Sequence, residues 1–166
     1  MAEGLKHALP VIVMTPASLE RNYRDEMRKC ADPLYLLRQH WTLREISTPA
    51  DRKKASVESG LPISFIRKAG GIWESDPKKS TNYTSLPEES KSMINQQIDL
   101  VIDKQYTFIH YNGLQSRHLD KMEKERINPF SNKVIIIDEV HNLVSQVVGG
   151  GNIGKRLYNL IMNAFN

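Results

Sequence analysis

Cysteine is nearly absent from this chain of 166 residues, because Cys30 is the only one. A lone cysteine excludes an internal disulfide framework and any zinc site built from several cysteines, and it fits a reducing compartment. Cys30 falls on the apolar side of its predicted helix, so we expect a small core residue rather than a nucleophile.

Long apolar runs are also missing. No stretch approaches the roughly 20 apolar residues that a membrane-spanning helix needs, and the first residues contain no signal-peptide core. We therefore expect no membrane partner and an intracellular, soluble protein.

Charge of one sign is not concentrated anywhere. The net charge is +4, and each of the two parts 1–60 and 61–166 has an excess of two basic residues. Such a mildly basic surface permits a nucleic-acid partner without requiring one. The content of 40% hydrophobic and 25% charged residues is typical of a globular protein with a sizeable core.

The most informative stretch is KVIIIDEVH at residues 133–141. Four consecutive β-branched residues predict a strand that is buried on both faces, in the middle of a parallel sheet. This run leads directly into Asp138 and Glu139, and open α/β sheets bind ligands at the carboxyl ends of their strands. The alternative is that the two acids only cap a following helix.

Strands and helices alternate along the rest of the chain. Residues 10–14 predict a buried strand, and Thr15 and Pro16 suit the N-cap and first position of a helix. Further predicted strands lie at 40–46 and 106–111, and further helices at 51–59, 87–105, 115–126 and 152–165. This alternation indicates an α/β domain with a mainly parallel sheet flanked by helices. We expect one domain over residues 1–166, with an irregular insertion at about 40–90 that includes a hairpin-like excursion.

Three segments together resemble motifs of superfamily 2 helicases and translocases. Residues 11–19 (VIVMTPASL) resemble motif Ia, residues 108–113 (FIHYNG) resemble the strand and turn of motif Ib, and residues 138–142 (DEVHN) resemble the DExH, or Walker B, box. With their order and the long excursion between the first two, they are most similar to Swi/Snf-like ATPases and helicases of nucleocytoplasmic large DNA viruses. The resemblance implies a partial RecA-like (P-loop NTPase) domain, and a viral factory or virion as its location.

The resemblance also implies roles at the DExH box, with ATP and Mg²⁺ as cofactors. Asp138 would bind Mg²⁺, Glu139 would position or activate the water that attacks the γ-phosphate, and His141 would couple the nucleotide site to a second lobe. A zinc-binding role for His141 is disfavoured, since no second histidine or cysteine lies nearby at ligand spacing.

The partner that the resemblance implies is DNA or RNA. Thr15 and Pro16 would touch nucleic-acid phosphates at the start of their helix, where free N–H groups attract anions. Asn112 and Gly113 would do the same from a turn. Trp41 and Trp73 could stack on bases, but we favour a role in closing a local core.

Three family features are missing. No P-loop, Gly-x-x-x-x-Gly-Lys-Ser/Thr, precedes motif Ia, where residues 1–7 look like the tail of the helix that follows such a loop, and motif III and the second lobe are absent. The match GGGNIGKR at 149–156 has Arg156 in place of the hydroxyl residue that holds Mg²⁺, so we interpret it as a glycine loop before the last helix.

We therefore predict a piece of a larger ATP-dependent helicase, with the missing remainder of that helicase as its partner. Without a P-loop, the chain alone should hydrolyse ATP negligibly. The alternative is a non-catalytic nucleic-acid-binding or transcription-factor-associated module.

Overall fold

The computed structural model describes residues 9–125 and 127–165. The expected helix tail at residues 1–7 and the predicted helix end at Arg126 lie outside this part of the chain. The elements follow in chain order: β1 (Val11–Met14), α1 (Ala17–Cys30), β2 (His40–Glu45), α2 (Pro49–Ser59), α3 (Ile63–Ala69), β3 (Gly71–Asp76), α4 (Glu88–Gln105), β4 (Tyr106–Ile109), α5 (Ser116–Lys124), β5 (Val134–Ile137), α6 (Val140–Val148) and α7 (Asn152–Met162). Single 3₁₀ turns lie at Tyr83–Ser85 and Tyr111–Gly113.

The described residues divide into two compact units, with one boundary within α1. We call residues 9–21, 105–125 and 127–165 the sheet unit, and residues 22–104 the hairpin unit. Among the described residues, no helix combines the length and the apolar character that crossing a membrane requires.

The sheet unit is built on three parallel strands in the order β4-β1-β5. Side chains from β1, α5, α6 and α7 meet on one face of this sheet in a core of buried residues: Ile12, Met14, Tyr111, Leu119, Phe130, Leu143 and Leu157. The predicted α/β class, with a mainly parallel sheet flanked by helices, is confirmed, and the arrangement is consistent with a partial RecA-like domain.

The prediction that β5 lies in the middle of the sheet is wrong for the described strands. β1 is the central strand and β5 is an edge strand, with Val134 and Ile136 still 45% and 37% exposed. The β-branched run correctly predicts that residues 134–137 form a strand. The position of that strand in the sheet depends on long-range pairing, which the local sequence does not determine.

The hairpin unit contains the antiparallel pair β2–β3, in which Leu43 faces Trp73. The hairpin-like excursion predicted around residues 70–77 is instead the single strand β3, which pairs with β2 across the two intervening helices α2 and α3. The unit has a core of its own, with the buried residues Ile46, Ala55, Leu61, Phe65, Ile66 and Ile72. Trp41 is also buried here, in agreement with a packing role. The single-domain assignment for residues 1–166 stays a prediction.

Cys30 is the last residue of α1 and is exposed. Its thiol donates a hydrogen bond to the Glu26 carbonyl oxygen at 3.3 Å. The prediction that Cys30 is a core residue is therefore wrong. Met27 is the buried residue of this helix, so the apolar stripe meets the interior one turn before Cys30.

Candidate functional site

The two acids of the DExH-like segment form a tight turn between β5 and α6, and together with the first two residues of α6 we call them the carboxylate turn (residues 138–141). The Asp138 N–H donates to the Met14 carbonyl at 2.9 Å, which extends the β1–β5 ladder by one residue. Glu139 then adopts the left-handed region, with φ 51° and ψ 44°. A non-glycine residue pays on the order of 1 kcal/mol for that conformation, so the surrounding contacts must hold it.

Tyr111 supplies the main contact that holds the carboxylate turn. Its hydroxyl lies 3.0 Å from the Asp138 carbonyl oxygen and 3.1 Å from that of Glu139, so one O–H is shared between two acceptors. The residue is only 1% exposed. A buried phenol that bonds two consecutive carbonyls fixes the path of the backbone. From the sequence alone, Tyr111 has no predicted role of its own. An aromatic residue that follows a strand does not by itself indicate a hydrogen bond to a distant turn.

Asp138 also contacts Thr15. The Thr15 hydroxyl lies 3.4 Å from Asp138 Oδ2, while the Glu139 N–H donates to Asp138 Oδ1 at 2.9 Å. Thr15 is completely buried, and its N–H donates to the Ile109 carbonyl at 3.1 Å. The structure therefore brings Thr15 to the predicted metal ligand and away from the surface.

Asp138 fits one mode of Mg²⁺ binding. Each of its oxygens accepts one hydrogen bond and keeps a further lone pair. In the described part of the chain, no cluster of three or more His, Cys, Asp or Glu residues could hold a metal. Mg²⁺ is commonly held by one or two carboxylates together with water and phosphate oxygens. Asp138 could act as such a single ligand.

Glu139 and His141 form the exposed side of the carboxylate turn. His141 Nδ1 lies 3.2 Å from Glu139 Oε2, and the two side chains are 70% and 45% exposed. Both groups are therefore accessible to a ligand outside the turn. A carboxylate and an imidazole in contact can accept and donate a proton. Such a pair can orient or activate a water molecule.

The predicted nucleic-acid contacts begin at α1 and at the Tyr111–Gly113 turn. Pro16 is half-buried before the helix, and Ala17 and Ser18 are exposed in its first turn, where N–H groups lack an intrahelical acceptor. Asn112 and Gly113 are both exposed.

His110 links these two segments. Its Nδ1 lies 3.3 Å from the Thr15 carbonyl oxygen and its Nε2 lies 2.9 Å from Glu20 Oε2. Sequence reasoning missed both His110 and Glu20, because their pairing depends on the two strands being neighbours.

Of the glycine match at 149–156, residues 149–151 connect α6 to α7, and residues 152–156 form the first part of α7. The match follows α6 rather than a strand. Arg156, the residue that departs from the P-loop pattern, binds Glu123 through two hydrogen bonds (2.9 and 2.7 Å) and Asp120 through a third (2.6 Å). These bonds raise the pKa of Arg156 and lower that of Glu123. Arg156 thus fastens α7 to α5.

One relative is similar to the whole chain. "Putative ATP-dependent RNA helicase R563" of Acanthamoeba polyphaga mimivirus is 28% identical over 165 residues, which cover 99% of this chain and 21% of that protein. The similarity supports a helicase-related relationship. The chain spans about a fifth of the length of this relative. No family model matches the chain, and no solved structure matches it.

Proposed function

We propose that this chain is part of an ATP-dependent helicase or translocase of the DExH type, related to Swi/Snf-like viral enzymes of transcription. The observation that carries the proposal is the carboxylate turn. Two acids follow a parallel strand at its carboxyl end, and Tyr111 and Thr15 hold them there. In open α/β sheets, nucleotides bind at the carboxyl ends of the strands.

The proposed roles follow from the exposure of each group. Asp138, with both oxygens fixed, would bind the Mg²⁺ of ATP. Glu139, exposed at its tip, would orient or activate the attacking water. His141, which contacts Glu139, would couple the nucleotide site to a second lobe. ATP supplies the reacting phosphate, and these residues hold the ion and the water around it.

The proposed nucleic-acid contacts are made mostly by the backbone. The first turn of α1, entered through Pro16, offers N–H groups to a phosphate, and Asn112 and Gly113 offer a second contact. Thr15 would act indirectly, by joining the start of α1 to Asp138. This link would let a bound strand influence the metal ligand. The site of action would be intracellular, in a viral factory or virion.

The proposal includes a partner, which is the remainder of the helicase. β5 is an edge strand whose Val134 and Ile136 are exposed, and the mimivirus relative is far longer than this chain. The greater length of the relative supports the existence of further chain, and the exposed edge supports its packing against β5. A phosphate-binding P-loop would have to come from that remainder.

The second candidate is a non-catalytic nucleic-acid-binding or transcription-factor-associated module. The glycine run at 149–156 favours it for the isolated chain. Its three glycines at 149–151 connect two helices, its remaining residues begin α7, and Arg156 is engaged with Glu123. No phosphate cradle is therefore formed by that segment.

The test uses a chimera in which this chain replaces the matching region of the mimivirus relative. We expect ATP hydrolysis by the chimera, and a loss of on the order of a hundredfold or more in turnover on Glu139→Gln. Glu125→Gln, a change at an exposed carboxylate after α5, is the matched control and should leave turnover unchanged. Equal turnover in the chimera with and without Glu139→Gln would contradict a catalytic carboxylate turn.

A further inference from the structure

A cleft of about 570 Å³ lies within the sheet unit. Its walls are the Tyr111–Gly113 turn, the start of α5, the end of α6 and the glycine loop that leads into α7. Small-ligand sites in proteins usually have volumes of roughly 300–1,000 Å³. The cleft is therefore large enough for one planar ring system with its attached sugar.

The cleft is lined by apolar groups together with uncharged polar side chains. Its polar side chains are amides and hydroxyls, and among the described residues that line it none is charged. A phosphate group is usually held by cations or by free backbone N–H groups. A nucleobase, in contrast, presents neutral donors and acceptors along its edge, which amide side chains match in pairs.

The amides of the cleft retain unused hydrogen-bonding capacity. Gln146 Nε2 donates to Asn112 Oδ1 at 3.0 Å, which fixes both side chains. This leaves the Asn112 amide nitrogen as a donor and the Gln146 amide oxygen as an acceptor. Within the described part of the chain, the side chains of Asn152 and Ser116 make no hydrogen bond. A donor and an acceptor held side by side are what a base edge needs.

Apolar groups complete the cleft. The half-buried side chains of Leu114 and Ile153 also line it, and they can cover the face of a flat ring. Asn112 belongs to the turn that we propose to contact phosphates, so a strand bound there has a base within reach of the cleft.

We propose that this cleft receives one unpaired base of a single-stranded nucleic acid. The inference rests on the proposed function for its nucleic-acid partner, and it adds a contact to the base itself. Gln146 and Asn112 bond the edge of the base, Asn152 and Ser116 add further bonds, and Leu114 and Ile153 contact its face.

The experiment measures binding of the unmodified 166-residue chain to two fluorescent 12-nucleotide strands by anisotropy. One strand carries bases and the other has the same backbone with abasic sites throughout. We expect the base-bearing strand to bind about five- to tenfold more tightly. Gln146→Ala and Asn152→Ala should each remove most of that difference. Asn159→Ala, an exposed amide on α7 outside the cleft, should leave it unchanged.

The outcomes separate the two proposals. If both strands bind equally well, the cleft takes no base and this inference falls while nucleic-acid binding stands. If neither strand binds, the nucleic-acid part of the proposed function falls together with the cleft. Asn152→Ala lies at an exposed position, so a loss of base preference in this variant, with an unchanged thermal melt, cannot be attributed to unfolding.

Discussion

The hairpin unit and the sheet unit leave the edges of their sheets in opposite states. In the hairpin unit, the Asn82 amide accepts a hydrogen bond from the Trp41 N–H (2.8 Å) and donates one to the Trp41 carbonyl (2.9 Å). Gln97 does the same for Trp73, at 2.9 and 2.7 Å. Each amide thus takes the place of a neighbouring strand. β5 has no such cover, since no described strand pairs with its outer side.

The hairpin unit therefore uses its polar side chains mainly for its own structure, whereas the sheet unit leaves groups available to a partner. The hairpin unit covers the outer sides of its two strands with its own amides, and Thr48 caps α2 by accepting from the Asp51 N–H at 3.1 Å. Its buried Arg28 Nε and Trp73 Nε1 are the exceptions, since neither has a hydrogen-bond partner in the described part of the chain. The sheet unit instead exposes Glu139 and His141, an uncharged cleft and an open strand edge. An unpaired edge attracts further strands, so function and further assembly are both expected at the sheet unit.

The largest expected effect comes from removing the amide side chain that bonds the outer side of β3. Gln97→Ala leaves the N–H and C=O of Trp73 without their partner, at a cost of about 1–3 kcal/mol for each buried group. We expect a lower free energy of unfolding in urea, and self-association through the exposed edge detected by light scattering. Gln96→Ala, on the same helix but bonded to surface groups, is the control. Equal stability of the two variants would refute the closed edge.

The next effect comes from removing the Tyr111 hydroxyl that bonds the backbone of the carboxylate turn. Tyr111→Phe keeps the ring but removes the hydroxyl shared by two carbonyls, which should lower the free energy of unfolding by about 1–3 kcal/mol. The amide resonance of Glu139 should shift in the NMR spectrum of the variant. Tyr158→Phe, at an exposed position of α7, serves as control and should change neither quantity. An unmoved Glu139 resonance would show that the hydroxyl does not hold the turn.

Relief of backbone strain should have a smaller effect of the opposite sign. Among the described non-glycine residues, only Asn132 and Glu139 have positive φ, and both belong to the sheet unit. Glu139→Gly should raise the free energy of unfolding by about 1 kcal/mol, because glycine adopts this conformation freely. Asn132→Gly should gain less, since asparagine tolerates it. A destabilised Glu139→Gly variant would mean that the carboxylate itself supports the fold.

The smallest effect is a dependence of stability on pH at the contact between α5 and α7. The hydrogen bond from Arg156 is the main reason why the pKa of Glu123 lies below its ordinary value of 4.5. This contribution is fully present above pH 4.5 and is lost as the pH falls through the lowered pKa. Arg156→Gln should flatten the fall in urea midpoint below pH 4.5, whereas Lys155→Gln, at the exposed neighbouring position, should not. Parallel pH profiles for all three proteins would contradict this assignment.

Local patterns in the sequence were sufficient for most elements. The apolar run at β5 and the Thr15-Pro16 start of α1 both predicted their elements within one or two residues. These features depend on propensity and capping, which act between near neighbours. The α/β class follows from the same alternation of strands and helices.

The parts that could not be predicted depend on pairings across the chain. The position of β5 at the edge is decided by which strand lies beside it, and the hydroxyl of Tyr111 reaches carbonyls 27 and 28 residues away. Thr15 was predicted to cap α1 and to touch a phosphate, yet the helix begins two residues later and the buried Thr15 hydroxyl lies against Asp138.

The exposed thiol of Cys30 has a practical consequence. As the sole sulfhydryl of the chain and an accessible one, it accepts a single maleimide dye or spin label at the end of α1 without any engineering. For the same reason, preparations kept in air are expected to accumulate covalent pairs of molecules joined through this one sulfur, and a reductant should return them to single chains.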